Sequence, residues 1–97
     1  MLRRTKPTSD RTKITFAVPH DLAPASVSLI GEFNEWNPEA HPMKKRSNGT
    51  RSVTLELPTG RSWEYLYVTD DGVFFCDPEA EALVANPYGG ANSVVTT

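Results

Sequence analysis

The side chains with catalytic potential are few, and their spacing does not build a reaction centre. Glu32 and Glu35 flank Trp36, Asp70 and Asp71 adjoin in a turn, His20 and His41 each lie beside a proline or a turn residue, and Cys76 is the single cysteine. A glycosidase needs two carboxylates across a cleft, one of them with its pKa raised by burial. Neighbouring turn aspartates face solvent and have turn-forming reasons to be there. There is no serine in a nucleophile elbow and no histidine pair at metal-ligand spacing. Gly89-Gly90 is not followed by a helix that could make a phosphate loop. The expectation is a chain with no catalytic residue, no metal and no cofactor.

Binding chemistry is better supported. Ser26 to Pro38 reads SVSLIGEFNEWNP. It starts with strand alternation, breaks at Gly31, and places two aromatics and two asparagines where a regular strand has ended. Asn37 before Pro38 marks a turn, because proline pushes its predecessor out of the helical region. Trp36 is therefore either a plug under the end of a sheet or a ring held out for a ligand. Parity adds to the second reading. Over 63–68, Trp63, Tyr65 and Tyr67 form the natural core face, so Leu66 and Val68 point away from it, where polar residues are expected. Phe74 and Phe75 project to opposite sides, so one ring lies outside. An apolar and aromatic patch of this kind marks a binding site. Sugars suit it: pyranose rings offer flat C–H faces to aromatic rings, and their hydroxyls seek amides such as Asn92 or Asn34. An apolar floor with a few polar groups is the general form of a ligand site.

The elements that must carry these residues are strands. Ile14, Phe16 and Val18 share one face of a strand over 12–18, ended by Pro19. His20-Asp21 and Ala23-Pro24-Ala25 connect to the strand at 26–31. Ser47-Asn48-Gly49-Thr50 predicts a hairpin between 43–47 and 50–57, with Asn-Gly favouring a type I′ turn. Lysines 44 and 45 suit a sheet edge. The strand at 63–68 follows, then a second hairpin turn at Asp70-Asp71-Gly72 and a return through Val73 to Cys76. Glu79 to Ala85 is expected to make one helical turn, 86–90 an irregular loop, and 92–96 a last strand. About seven short strands with frequent turn signals and no long helix predict an all-β, immunoglobulin-like antiparallel β-sandwich. The sandwich is expected over 12–97, preceded by a disordered basic arm over 1–11 that contains Arg3, Arg4, Lys6 and Arg11.

Bulk properties agree. The chain has 97 residues, 38% hydrophobic and 23% charged, which fits one globular domain. A formal net charge of −2 gives no reason to expect nucleic acid or an anionic membrane as partner. A lone cysteine excludes an intrachain disulfide, and no apolar run is long enough to span a bilayer or act as a signal peptide, so the expected location is cytoplasmic.

SVSLIGEFNEWNP at 26–38, Pro58-Thr59-Gly60, WEYLYVTDDGVFFCDP at 63–78 and YGGANSVV at 88–95 together resemble the family 48 carbohydrate-binding modules. These are the early-set, immunoglobulin-like domains found ahead of the catalytic barrels of isoamylases and glycogen branching enzymes. The glycogen-binding domain of the AMP-activated protein kinase beta subunit is another. The resemblance runs from about Thr12 to the C-terminus, and the combination of segments is more specific than any one of them.

It implies non-catalytic binding of alpha-1,4-glucans such as glycogen, starch or maltooligosaccharides, with a glycogen-metabolism protein as a further possible partner. The family's first stacking tryptophan falls on Trp36, its second stacking position on Phe74, and its sugar-bonding asparagine on Asn92. A leucine that wedges against the glucan lies near Tyr88. Three departures stand out. Phe74 replaces a tryptophan, Leu66 replaces the binding lysine, and there is an extra residue at Asp70-Asp71. The alternative is a protein-interaction module of the same fold that has lost its sugar.

Overall fold

A computed structural model describes residues 2–5, 10–19 and 26–97. His20, the 21–25 connection and residues 6–9 of the expected arm lie outside the described residues. The chain forms two antiparallel sheets packed as an immunoglobulin-like sandwich of the early-set type. Nine strands are seen among the described residues: β1 Leu2–Thr5, β2 Arg11–Val18, β3 Val27–Gly31, β4 Lys44–Lys45, β5 Arg51–Pro58, β6 Ser62–Thr69, β7 Phe74–Phe75, β8 Ala82–Ala85 and β9 Ala91–Thr96. The first sheet has the order β1-β2-β5-β4; the second has β3-β6-β9-β8, with β7 also paired to β6. No helix among the described residues is long and apolar enough to cross a membrane.

Alternation sets the layers. Ile14, Phe16 and Val18 of β2 turn inward from the first sheet. They meet Leu29, Trp63, Tyr65, Tyr67 and Val95 from the second. The Phe16 and Tyr65 rings pack edge to face with centroids 5.1 Å apart, an arrangement that adds about 1 kcal/mol to the area it buries. Each fully buried large side chain contributes roughly 1.5–3 kcal/mol, so this inner layer dictates which way every strand faces.

The structure differs from the expected layout in three places. First, Leu2–Thr5 is not a disordered arm but a strand paired along β2, from Leu2↔Phe16 to Thr5↔Lys13. Arg4 reaches Glu81 at 2.6 Å. Local composition hid this strand because its partners come from elsewhere in the chain. Second, Glu79–Ala85 does not form a helical turn. Ala82–Ala85 is an edge strand whose pairing with β9 overrides helical propensity, and 86–90 is an ordered hairpin rather than irregular loop.

Third, the Asn48-Gly49 turn is not type I′, since only Gly49 has positive φ, at 88°. Arg46 N–H donates to the Thr50 carbonyl and Gly49 N–H to the Arg46 carbonyl, a three-residue loop closed by a left-handed glycine. The same pattern recurs at Thr69–Val73 around Gly72 and at Asn86–Gly90 around Gly89. A side chain with a Cβ would be strained at each of these glycines.

Candidate functional site

Where β3 ends, two aromatics divide the roles that the sequence left open. Phe33 turns inward and its ring lies 5.9 Å from Phe16 and 6.2 Å from Trp63, so Phe33 is the plug. Trp36, three residues on, is left outside with 36% of its surface exposed. Asn34 holds this corner together. Its Oδ1 accepts from the Gly31 N–H at 3.0 Å, and its Nδ2 donates to the Leu29 carbonyl at 3.0 Å and lies 2.8 Å from His41 Nδ1. That amide is spent on the fold, so of the two amides named as possible hydroxyl partners, Asn34 is the one engaged in holding the chain. Trp36 N–H closes the corner on the Gly31 carbonyl at 3.0 Å.

Glu35 and Trp36 both adopt left-handed backbone, φ 58° and 59°. Such a conformation costs a residue with a Cβ roughly 1–2 kcal/mol, and strain of this kind collects at functional positions. Here it lifts the indole to the rim of the second sheet's outer face.

Phe74 is held by a different device. Val68 pairs with Phe74 and Tyr67 with Phe75, so the two rings take opposite faces. Phe75 packs inward, 5.4 Å from Tyr67, while Phe74 is 61% exposed. Just beyond, Asp77 anchors the segment and is only 3% exposed. Its Oδ2 accepts from the Tyr65 and Tyr67 hydroxyls at 3.0 and 3.1 Å, and its own N–H donates to Ser93 Oγ at 2.8 Å. Burial first, and then the neighbouring Asp77 charge, push both tyrosine hydroxyls well above their ordinary 10.0. They stay protonated and donate. Asp77 thus ties the strand that carries Phe74 to β9, which carries Asn92.

These rings border a groove of about 800 Å³ on the outer face of the second sheet. Trp36, Phe74, Leu66, Tyr88 and Asn92 all line it. The structure therefore brings together all five residues singled out in the sequence. Ile30 and Leu66, cross-strand partners on β3 and β6, give it an apolar floor. Tyr88 stands at the tip of the 86–90 hairpin, 93% exposed. A second depression of about 460 Å³, lined by Ser28, Val68 and Asp70, shares the Trp36 and Phe74 rings. Val68, expected on the surface, is buried on this outer side.

Sequence reading missed the polar end of the groove. Glu64, Glu32 and Asn86 line it with Asn92. Glu32 Oε1 accepts from the Glu64 N–H at 2.8 Å, extending the ladder past the end of β3. Glu64 shares its face with Leu66, and that parity was the available signal. No lysine or arginine lines the groove among the described residues, and no three His, Cys, Asp or Glu side chains there could hold a metal ion.

The sequence of residues 6–89 matches carbohydrate-binding module 48, the isoamylase N-terminal domain. The chain belongs to this family. A 1,4-alpha-glucan branching enzyme, GlgB 2, of Xanthomonas campestris pv. campestris is 40% identical over 47 residues, covering 47% of the chain and 6% of the enzyme. An alpha-amylase of Niallia circulans is 31% identical over 99 residues, covering 95% of the chain and 8% of that protein. The chain thus spans less than a tenth of the length of either. Among solved structures, the enterobactin esterase FES from Shigella flexneri superposes with a TM-score of 0.74 at 11% identity, covering 98% of this chain and 32% of the esterase. That likeness concerns the fold alone. As a family 48 module, the chain is a carbohydrate-binding module of the kind found in branching enzymes and amylases.

Proposed function

We propose that this module binds alpha-1,4-glucans without catalysing their conversion, with Trp36 and Phe74 as stacking surfaces and Asn92 as the oriented polar group. The observation that carries the reading is the strained, half-exposed Trp36 at the rim of a groove whose opposite border is Tyr88 and whose floor is Ile30 and Leu66. Burying Phe33 satisfies the core, so packing alone gives no reason to hold an indole in left-handed backbone. Family membership and the relatedness to a branching enzyme and an alpha-amylase support the choice of ligand.

Affinity is modest. A short glucan on an open face buries little area and must offset the cost of being ordered, so a Kd of about 0.1–1 mM is expected. Leu66 supplies C–H contact where a lysine would supply an ammonium donor to sugar hydroxyls, which keeps affinity in that range.

Calorimetric titration with maltoheptaose tests the proposal. Trp36→Ala should abolish the heat of binding while Trp63, the buried second indole, keeps its native emission. An unchanged titration in that variant would move the site elsewhere. The apolar Leu66 floor, free of basic groups, favours one second reading, a protein-interaction surface. That reading predicts no maltoheptaose response and no retention on insoluble starch.

A further inference from the structure

The polar end of the groove is wired in one direction. Asn86 Oδ1 accepts from the Tyr88 and Gly90 N–H groups, both at 3.0 Å, which fixes its amide. Its Nδ2 then donates to Asn92 Oδ1 at 3.2 Å. That leaves Asn92 Nδ2 to donate to Glu64 Oε1 at 2.9 Å. The relay starts in the backbone of a hairpin turn and ends on a carboxylate. Asn92 is 8% exposed, so its orientation is set by these partners rather than by water.

Two atoms at the end of this relay remain without a protein partner among the described residues: Glu64 Oε2 and the second hydrogen of Asn92 Nδ2. An amide has two donors and a carboxylate two acceptor oxygens, and one of each is used. What is left is an acceptor and a donor side by side on a groove wall.

Resting on the glucan reading above, we infer that Glu64 is a further sugar-contacting residue of the site. Its Oε2 accepts directly from one ring hydroxyl, while Asn92 Nδ2 donates to the neighbouring one. Adjacent sugar hydroxyls can each donate or accept, so a pair on one ring satisfies both atoms at once. Charge-assisted hydrogen bonds are roughly twice as strong as neutral ones, which makes the carboxylate the stronger half of the pair. Among the described residues, no lysine or arginine lines the groove to compete for that charge.

The test compares wild type and Glu64→Gln in calorimetric titrations with maltoheptaose. The Asn92 side-chain amide is followed by ¹⁵N–¹H correlation in each protein. Glutamine keeps the shape and one oxygen to accept from Asn92 but loses the charge. The inference expects about fivefold to tenfold weaker binding with the Asn92 amide signal still in its hydrogen-bonded position. Affinity within twofold of wild type overturns it while leaving the glucan reading intact. Weaker binding accompanied by a displaced Asn92 signal also overturns it, since Glu64 would then act only by positioning. Failure of the wild-type protein itself to bind maltoheptaose overturns the glucan reading instead.

Discussion

Replacing Asp77 by alanine should cost this domain a large part of its stability. The carboxylate accepts from Tyr65 and Tyr67 at 3.0 and 3.1 Å, and the Glu79 N–H donates to Oδ1 at 2.9 Å. Both tyrosines are fully buried, so neither hydroxyl can turn to water when its acceptor is removed. A hydrogen bond to a charged group is worth about 1.5–3 kcal/mol, so the pair represents roughly 3–6 kcal/mol. Releasing a buried carboxylate from its desolvation penalty returns part of this, leaving a net loss of about 3–4 kcal/mol. Set against the roughly 5–15 kcal/mol of an ordinary domain, that lowers Tm by on the order of 12–25 °C. Urea unfolding followed by tryptophan emission measures it. Asp77→Asn keeps a neutral acceptor and should lose only about 1–2 kcal/mol. Tyr65→Phe supplies the decisive control. It should destabilise the wild type but cost almost nothing, or even help, in the Asp77→Ala background, where the hydroxyl has become a liability. An Asp77→Ala loss below about 1 kcal/mol, or strict additivity with Tyr65→Phe, would refute the view that this carboxylate bolts the segment after β7 to the β6 tyrosines.

Three further outcomes follow from the same geometry. Glu35→Gly should raise stability by about 0.5–1 kcal/mol, because an exposed residue at φ 58° is relieved of its strain, and maltoheptaose affinity should stay within about twofold; a destabilised variant would show that the corner is not strained. Gly31→Ala should cost about 1–3 kcal/mol or more, since an added Cβ would sit 2.7 Å from both the Glu64 carbonyl oxygen and the Phe33 ring, and chemical denaturation reads the loss directly. Tyr65 and Tyr67 have folded-state pKa values raised above 10.0, so their contribution is intact below pH 10 and is lost as pH climbs beyond it. The urea midpoint should therefore hold up to about pH 10 and fall above it, and fall less in the Tyr65→Phe, Tyr67→Phe double variant; equal declines would assign the effect to other groups.

Much of this was legible from period two alone. The alternation of Trp63, Tyr65 and Tyr67 with Glu64, Leu66 and Val68 fixed which side of β6 is core, and the structure follows it. Phe74 and Phe75 had to diverge, and which ring fell outside was decided by the pairing of Val68 with Phe74. What stayed hidden depends on partners far away in sequence. Leu2–Thr5 is a strand because β2 offers it an edge and Glu81, 77 residues on, holds Arg4. Ala82–Ala85 reads as weakly helical and becomes a strand for the same reason. The turn type at Asn48-Gly49 misled because Asn-Gly also fits a loop in which only the glycine is left-handed. Asn34 and Asn92 have the same side chain, and no local pattern could tell that one amide is consumed by the backbone while the other lines the groove.

The groove is, in one sense, a by-product of the core. Phe33, Phe75 and Tyr65 are drawn inward by burial, and Trp36, Phe74 and Glu64 are sent outward because they occupy the complementary positions. Phe74 and Tyr88 are open to solvent, so changing them alters the surface at little cost to folding. Asn92 differs: it is buried and wired to Asn86 and Glu64, and replacing it strands both partners. Exposed rings on such a scaffold can be enlarged or reduced with little effect on the core. The polar relay can be changed only as a unit. On the proposed glucan reading, the Asn86–Asn92–Glu64 end of the groove would orient a bound sugar, and the aromatic rim would set how tightly it is held.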